Sequence, residues 1–315
     1  MTVLRVGTRG SALALWQTER VRGMLLAQGI PTERIEIRTT GDVILDRPLA
    51  EIGSRALFTK QLDDALLEGR IDLAVHSLKD LPTELPEGIS LGAVGLREDP
   101  RDALVGKGPI GWAQVPEGAT LATSSLRRRA QLLRHRPDLV IEDIRGNVDT
   151  RLAKLDASPV WTAILLASAG LARLGFGGRI GERLPFEVML PAPGQGALAA
   201  TVRTGDERTS ATLRGVLHDE DVARAVAAER GFLNRLEGGC QVPVAAHARL
   251  AGSRLVLQGR VVSLDGRQAA EGELAGEARD AAEAAAIGRA LAERLLGEGA
   301  HEILASVRSK GVSAP

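Results

Sequence analysis

Two hydrophobic periods alternate along the first two thirds of the chain. Residues 4–7 form a short apolar strand that ends in the loop Thr8-Arg9-Gly10, and Ser11 stands where an N-cap belongs, ahead of a helix over 12–27. Residues 35–40 read as the next strand. Phe58, Leu62, Ala65 and Leu66 then recur at helical spacing, Gly69 closes that helix, and 71–76 is a further apolar strand ending at Ser77-Leu78-Lys79-Asp80-Leu81-Pro82. The theme repeats. Strand 118–123 runs into Ser124-Ser125-Leu126-Arg127-Arg128-Arg129 and a helix reaching about Arg136; strand 140–144 runs into Arg145-Gly146-Asn147 and another helix; strand 161–167 runs into Ser168. Such succession predicts an α/β fold of two βαβ lobes with mostly parallel sheets, and 98–101 and 191–194 are the hinges between them.

The last third changes period. Residues 244–250, 254–263 and 268–274 predict three strands joined by turns at 251–253 and Asp265-Gly266, followed by an Ala-rich helix over 279–296 and a short one over 302–308. This predicts a small α+β module with an antiparallel sheet.

Composition narrows the chemistry. Among 315 residues, 40 basic side chains balance 40 acidic ones, and only seven aromatics are present, none of them Tyr. A nucleic-acid partner is not expected from a neutral chain with so few stacking groups. No apolar run reaches the ~20 residues of a membrane span, and the first residues lack the apolar core of a signal peptide, so the expected location is the cytoplasm. The lone cysteine, Cys240, fits a reducing compartment. Only five of the basic residues are Lys (60, 79, 107, 154 and 310), so an Arg pair counts for less here than its position does.

Position gathers the basic groups. In open α/β sheets, ligands bind beyond the carboxyl ends of the strands. Five such loops carry cations or hydroxyls: Arg9 with Ser11; Ser77 with Lys79; Ser125 with Arg127 and Arg128; Arg145 with Asn147 and Arg151; and Ser168 with Arg173. Helix starts and guanidinium forks both favour anions. The expectation is a cleft for a ligand with several negative groups. Asp80 is the conspicuous acid on that edge. It either stabilises a developing cation or caps the turn before Pro82. Cys240, in Leu236-Glu237-Gly238-Gly239-Cys240-Gln241-Val242-Pro243, is a loop thiol, read either as a nucleophile or attachment point or as an inert side chain. The five His and one Cys show no metal-ligand spacing, and no metal site is expected.

Seven motifs, in order, cover nearly the whole chain: Thr8-Arg9-Gly10-Ser11 with Leu13 to Gln17, Gly41-Asp42-Val43-Ile44-Leu45-Asp46, Ala74-Val75-His76-Ser77-Leu78-Lys79-Asp80-Leu81-Pro82, Thr123 to Arg128, Arg145-Gly146-Asn147-Val148 with Thr150-Arg151, Pro193-Gly194-Gln195-Gly196, and the Cys240 loop. Together they resemble the porphobilinogen deaminase (hydroxymethylbilane synthase) family. The resemblance implies two type II periplasmic-binding-protein-like domains flanking a cleft, 1–97 with 195–216 and 98–194, and a third domain, 217–315, carrying the cysteine. It implies a transferase of tetrapyrrole biosynthesis, monomeric, that joins four porphobilinogen molecules head to tail with loss of ammonia and releases hydroxymethylbilane by hydrolysis. Its primer is a dipyrromethane cofactor held through a thioether to Cys240. By motif, Ser77, Lys79, Ser125, Arg127, Arg128 and Asn147 would hold the cofactor. Arg9, Ser11, Gln17, Arg145, Arg151 and Arg173 would meet the substrate's acid groups, and Asp80 would be the catalytic carboxylate beside the azafulvene cation formed as ammonia leaves. The implied loop over the cleft, 42–57, departs from the family pattern: Glu51 stands where Lys is common, so no anion-binding role passes to it.

Two other classes compete. A two-lobed binding module would lack both the acid and the Gly-Gly-Cys loop; a Cys-dependent acyl transferase would pair Cys240 with a base, and no such motif is present.

Overall fold

The computed structural model describes residues 3–39, 59–236 and 242–311; the 42–57 stretch and Cys240 lie outside them. The first lobe carries β1 (Leu4–Thr8), α1 (Ala12–Ala27), β2 (Thr32–Glu36), α2 (Lys60–Leu67), β3 (Leu73–Ser77) and β4 (Ile89–Gly95). Ser11 caps α1 as its position predicts, its Oγ accepting from Ala14 N at 3.4 Å. The second lobe carries β5 (Asp102–Gly106), β6 (Thr120–Ala122), α3 (Leu126–His135), β7 (Val140–Glu142), α4 (Val148–Ala157), β8 (Trp161–Ala167), α5 (Ser168–Arg173) and β9 (Glu182–Arg183). The chain then returns through β10 (Leu198–Arg203) and α6 (Glu207–Leu217) before α7 (Glu220–Arg235).

Both lobe sheets are five-stranded, in the orders β2-β1-β3-β10-β4 and β7-β6-β8-β5-β9. They are mixed, which corrects the expectation of mostly parallel sheets. β1 pairs parallel with β2 and β3, whereas β10 runs antiparallel to both β3 and β4; in the second lobe β5 is antiparallel to β8 and β9. In the first lobe a strand from a distant stretch of sequence, β10, completes the sheet, whereas all five strands of the second lobe come from 102–183. β4, β5 and β10 are strands that the sequence reading does not mark. β2 also begins three residues earlier than its apolar run, since it pairs in register with β1 from Leu4↔Thr32 onward.

Beyond α7 lie β11 (Val244–Ala251), β12 (Arg254–Val262) and β13 (Ala269–Glu277), an antiparallel sheet as predicted, with α8 (Ala281–Leu295) and α9 (His301–Gly311) joined through Leu296–Ala300. Phe232 of α7 and Leu291 of α8 pack against Leu255 and Leu257 to form its core. This unit grips both lobes. Arg260 of β12 donates to Gln131 Oε1 of α3 at 2.9 Å and pairs with Glu271, which also takes Arg134 of α3. On the other side, Arg230 of α7 donates to Pro82 O and Thr83 O, at 2.8 and 3.1 Å. At the junction, Glu229 is fully buried; it accepts from Arg97 and from the backbone N–H groups of Gly194 and Ala248, and so ties α7 to both crossovers and to β11.

His76 lies on the buried central strand β3, its Nε2 3.0 Å from Thr201 Oγ1. Burial, and secondarily Arg9, push its pKa down to about 3. The folded protein therefore refuses a proton that the unfolded chain takes up below about pH 6.5, and stability present above that pH is lost on acidification. Wild type should lose about 2 kcal/mol more than His76→Gln between pH 7 and pH 5, read by urea unfolding at the two pH values. Equal losses would show that the His76 ring takes up a proton inside the fold.

Candidate functional site

The carboxyl ends of β1 and β3 face those of β6, β7 and β8 across a cleft of about 1110 Å³. Its first wall holds Arg9, Ser11, Ser77, Lys79 and Asp80; its second holds Ser125, Arg127, Arg128, Arg145, Asn147 and Arg151. Eleven residues expected from motif and loop position thus share one cavity. Leu233 and Asn234 of α7, and Val242 and Val244, also line it, so the described residues on both sides of 237–241 border the cleft. Arg38 and Lys154 are two further cations on its wall that the sequence reading did not single out.

Local structure explains how the groups are presented. β3 runs into a single 3₁₀ turn, Leu78–Asp80, which buries Leu78 and leaves Lys79 and Asp80 half-buried at the cleft. Ser77 Oγ accepts from Gln17 Nε2 at 2.7 Å, so Gln17, buried on α1, reaches the site through Ser77 and borders an adjoining recess of about 40 Å³ together with Arg9, Ser11 and Asp80. Ser125 and Asn147 occupy the N-cap positions of α3 and α4; Ser125 Oγ accepts from Arg128 N at 3.4 Å.

The electrostatics of the site favour anions. Burial pulls Lys79 down to about 8; Arg127 and Arg128 push the same way, and Asp80 and Asp102 oppose them. Burial, then the like charges of Arg128 and Arg145, pull Arg151 down to about 10, with Asp80 as the opposing carboxylate. Arg145 Nη1 is buried and bonded to nothing among the described residues. A buried guanidinium N–H left unmatched is costly, so a ligand carboxylate arriving there removes a penalty as well as adding a bond. Asp80 is the acid facing Lys79 and Arg151, and among the described residues no hydrogen bond to its carboxylate is formed.

Two expectations meet a different geometry. Arg127 and Arg128 border the cleft, but their heads turn onto Asp102, which is fully buried at the start of β5. Arg127 Nη1 donates to Asp102 Oδ2 at 2.6 Å and to Leu190 O; Arg128 donates to Asp102 Oδ1 at 2.7 Å and to Leu165 O. The pair forms a charged floor fixed from below. Arg173 does not line the cleft. Its guanidinium pairs with Glu98 at 2.9 Å and donates to Leu96 O and Gly196 O, bracing the crossovers between the lobes. Asp102, Gln195 and Glu229 are structural centres of the site whose role no local signal marks, since the side-chain partners that define it lie 19 to 132 residues away. Among the described residues no three acidic, His or Cys groups gather as a metal site, and no helix is long and apolar enough to cross a membrane.

Residues 4–211 match the family model of the porphobilinogen deaminase, dipyromethane cofactor binding domain, and residues 223–297 that of the porphobilinogen deaminase C-terminal domain. The porphobilinogen deaminase of Geobacter metallireducens is 49% identical over 312 residues, covering 98% of this chain and 96% of that one. That of Rubrobacter xylanophilus is 53% identical over 306 residues, with 97% of each chain covered. The solved methionine-binding protein MetQ aligns over 72% of this chain and 94% of its own at 11% identity and a TM-score of 0.43. With both domain models matched in order and half the residues identical over nearly full length, the chain belongs to the porphobilinogen deaminase family.

Proposed function

We propose that this chain makes hydroxymethylbilane from four porphobilinogens and one water, releasing four molecules of ammonia, and that Cys240 carries the dipyrromethane primer through a thioether. The transferase activity, the substrate and the cofactor follow from family membership. The residue roles are our reading, and one observation carries it: a cleft walled by cations of both lobes holds Asp80 within electrostatic reach of both Lys79 and Arg151.

The residues present fit the cofactor. Its pyrroles bear acetate and propionate groups, and the unmatched Arg145 Nη1, the crowded Arg151 and the half-buried Lys79 are partners that such carboxylates would satisfy. When bound, the dipyrromethane supplies the nucleophilic pyrrole carbon for the first condensation. Ser77, Lys79, Ser125 and Asn147 hold it, with Arg127 and Arg128 as the fixed positive floor. Arg9, Ser11, Arg145 and Arg151 orient the incoming porphobilinogen, and Gln17 supports them through Ser77. Arg173 acts at the crossovers instead of on the substrate. Asp80 compensates the positive charge that appears on the substrate methylene when ammonia departs. We take the lobes as 1–97 with 195–216 and 98–194, and the third unit as 217–315; the return of β10 to the first sheet supports the discontinuity. We also take the protein to act as a cytoplasmic monomer.

The test is to supply porphobilinogen and follow its loss, ammonia release and product mass together. One ammonia per porphobilinogen and a linear tetrapyrrole are expected. Tight binding without ammonia release would instead make the cleft a binding module.

A further inference from the structure

Gln195 is fully buried where the two lobes meet, yet it borders the cleft. It sits between Gly194 and Gly196, both at positive φ, +76° and +89°. A Cβ at Gly196 would lie 2.4 Å from Glu98 O, and one at Gly194 would lie 3.1 Å from the Leu78 side chain. The turn is thus wedged between the Lys79 turn and the 96–100 crossover, with no room to shift. The Gln195 amide nitrogen donates to Pro100 O at 2.7 Å and to Asp102 Oδ1 at 3.1 Å, and its amide oxygen accepts from Lys79 Nζ at 3.2 Å. Those partners fix which way the amide faces. Turned over, it would set oxygen against a carbonyl and a carboxylate, and an NH₂ against an ammonium.

We propose that Gln195 is a positioning residue for Lys79: its oxygen holds the ammonium at the cleft, and its nitrogen anchors that grip on Asp102, and through Asp102 on Arg127 and Arg128 of the opposite lobe. A glutamine suits this place because it is neutral and yet accepts from a cation while donating to an anion. Around Lys79 stand Asp80 on its own turn, Arg127 and Arg128 from α3, and Asp102 from β5. Burial and two guanidiniums disfavour the charged amine there, so a fixed neutral acceptor decides how firmly the cation is kept. Sequence gives no sign of the link, because 116 residues separate its ends.

The inference deepens the reading of Lys79 as a cofactor-holding cation, and its test needs no turnover. The full-length protein as purified is trace-labelled with acetic anhydride across a pH series, and each lysine is followed by peptide mass spectrometry. Lys60, Lys107, Lys154 and Lys310 serve as internal standards. In Gln195→Met the labelling midpoint of Lys79 should fall by about one pH unit, a roughly tenfold gain in reactive amine below it. In Gln195→Ala, which removes the acceptor without filling its place, the midpoint should fall likewise; this variant decides the matter if the Met variant does not fold. A Lys79 midpoint unchanged in both, or a shift shared by all the lysines, overturns the proposal and leaves the cofactor-holding role of Lys79 standing. Absence of any pyrrole adduct on Cys240 would remove that role without touching the Gln195–Lys79 link.

Discussion

Asp80→Asn should lower turnover by about 10²–10³-fold while leaving unfolding stability within about 0.5 kcal/mol of wild type. The split follows from what Asp80 does and does not touch. Its carboxylate makes no hydrogen bond among the described residues, so the amide loses none of the hydrogen bonds that they form. Its field reaches Lys79 and Arg151 and the space they enclose. In that partly desolvated cleft, loss of ammonia leaves positive charge on carbon, surrounded by guanidinium groups that disfavour it. A fixed carboxylate stabilises that charge without reorganising, and a neutral amide of the same shape does not. Turnover and stability measured on one preparation separate the two readings of this residue. Parallel loss of both would make Asp80 a turn cap, and a rate within a few-fold of wild type would remove it from the chemistry.

The largest loss of stability should follow Asp102→Ala, about 3–5 kcal/mol by denaturant unfolding. Asp102 is fully buried and takes both Arg127 and Arg128, along with Gln195. Removing it leaves two guanidiniums in the protein with nothing to compensate them, which costs more than the pair contributed. The same arginines hold Asp102 far below the usual carboxylate range against the opposing effect of burial. Its contribution is therefore fully present above the ordinary Asp pKa of about 4 and is lost only as pH falls well below it. The deficit of the Ala variant should accordingly be constant from pH 8 to pH 5. A deficit that shrinks over that window would mean that Asp102 takes up a proton there.

These two residues mark what sequence does and does not disclose. Asp80 is legible because a βα turn is local: the strand, the Lys79-Asp80 pair and Pro82 are contiguous, and strand ends in α/β folds are where ligands bind. Ser11 is legible for the same reason, as a hydroxyl one residue ahead of the helix that starts at Ala12. Asp102 is not. It reads as a polar residue after a hinge, and its meaning comes from α3, more than twenty residues on. Arg127 and Arg128 read as open anion forks because their helix start is visible and their buried partner is not. Arg173 likewise carries the right charge at a helix end, yet folds onto Glu98 and two crossover carbonyls. The antiparallel strands β5 and β10 were hidden by the same physics, since each is completed by partners from elsewhere in the chain.

The most direct test of the account is the intact mass of the purified protein beside that of Cys240→Ser. The account predicts a wild-type mass exceeding the polypeptide by two linked pyrrole units, present from isolation or gained on incubation with porphobilinogen, and no such excess in the variant. A wild-type mass that stays at that of the bare polypeptide after incubation with porphobilinogen, or an excess that survives in Cys240→Ser, would contradict it.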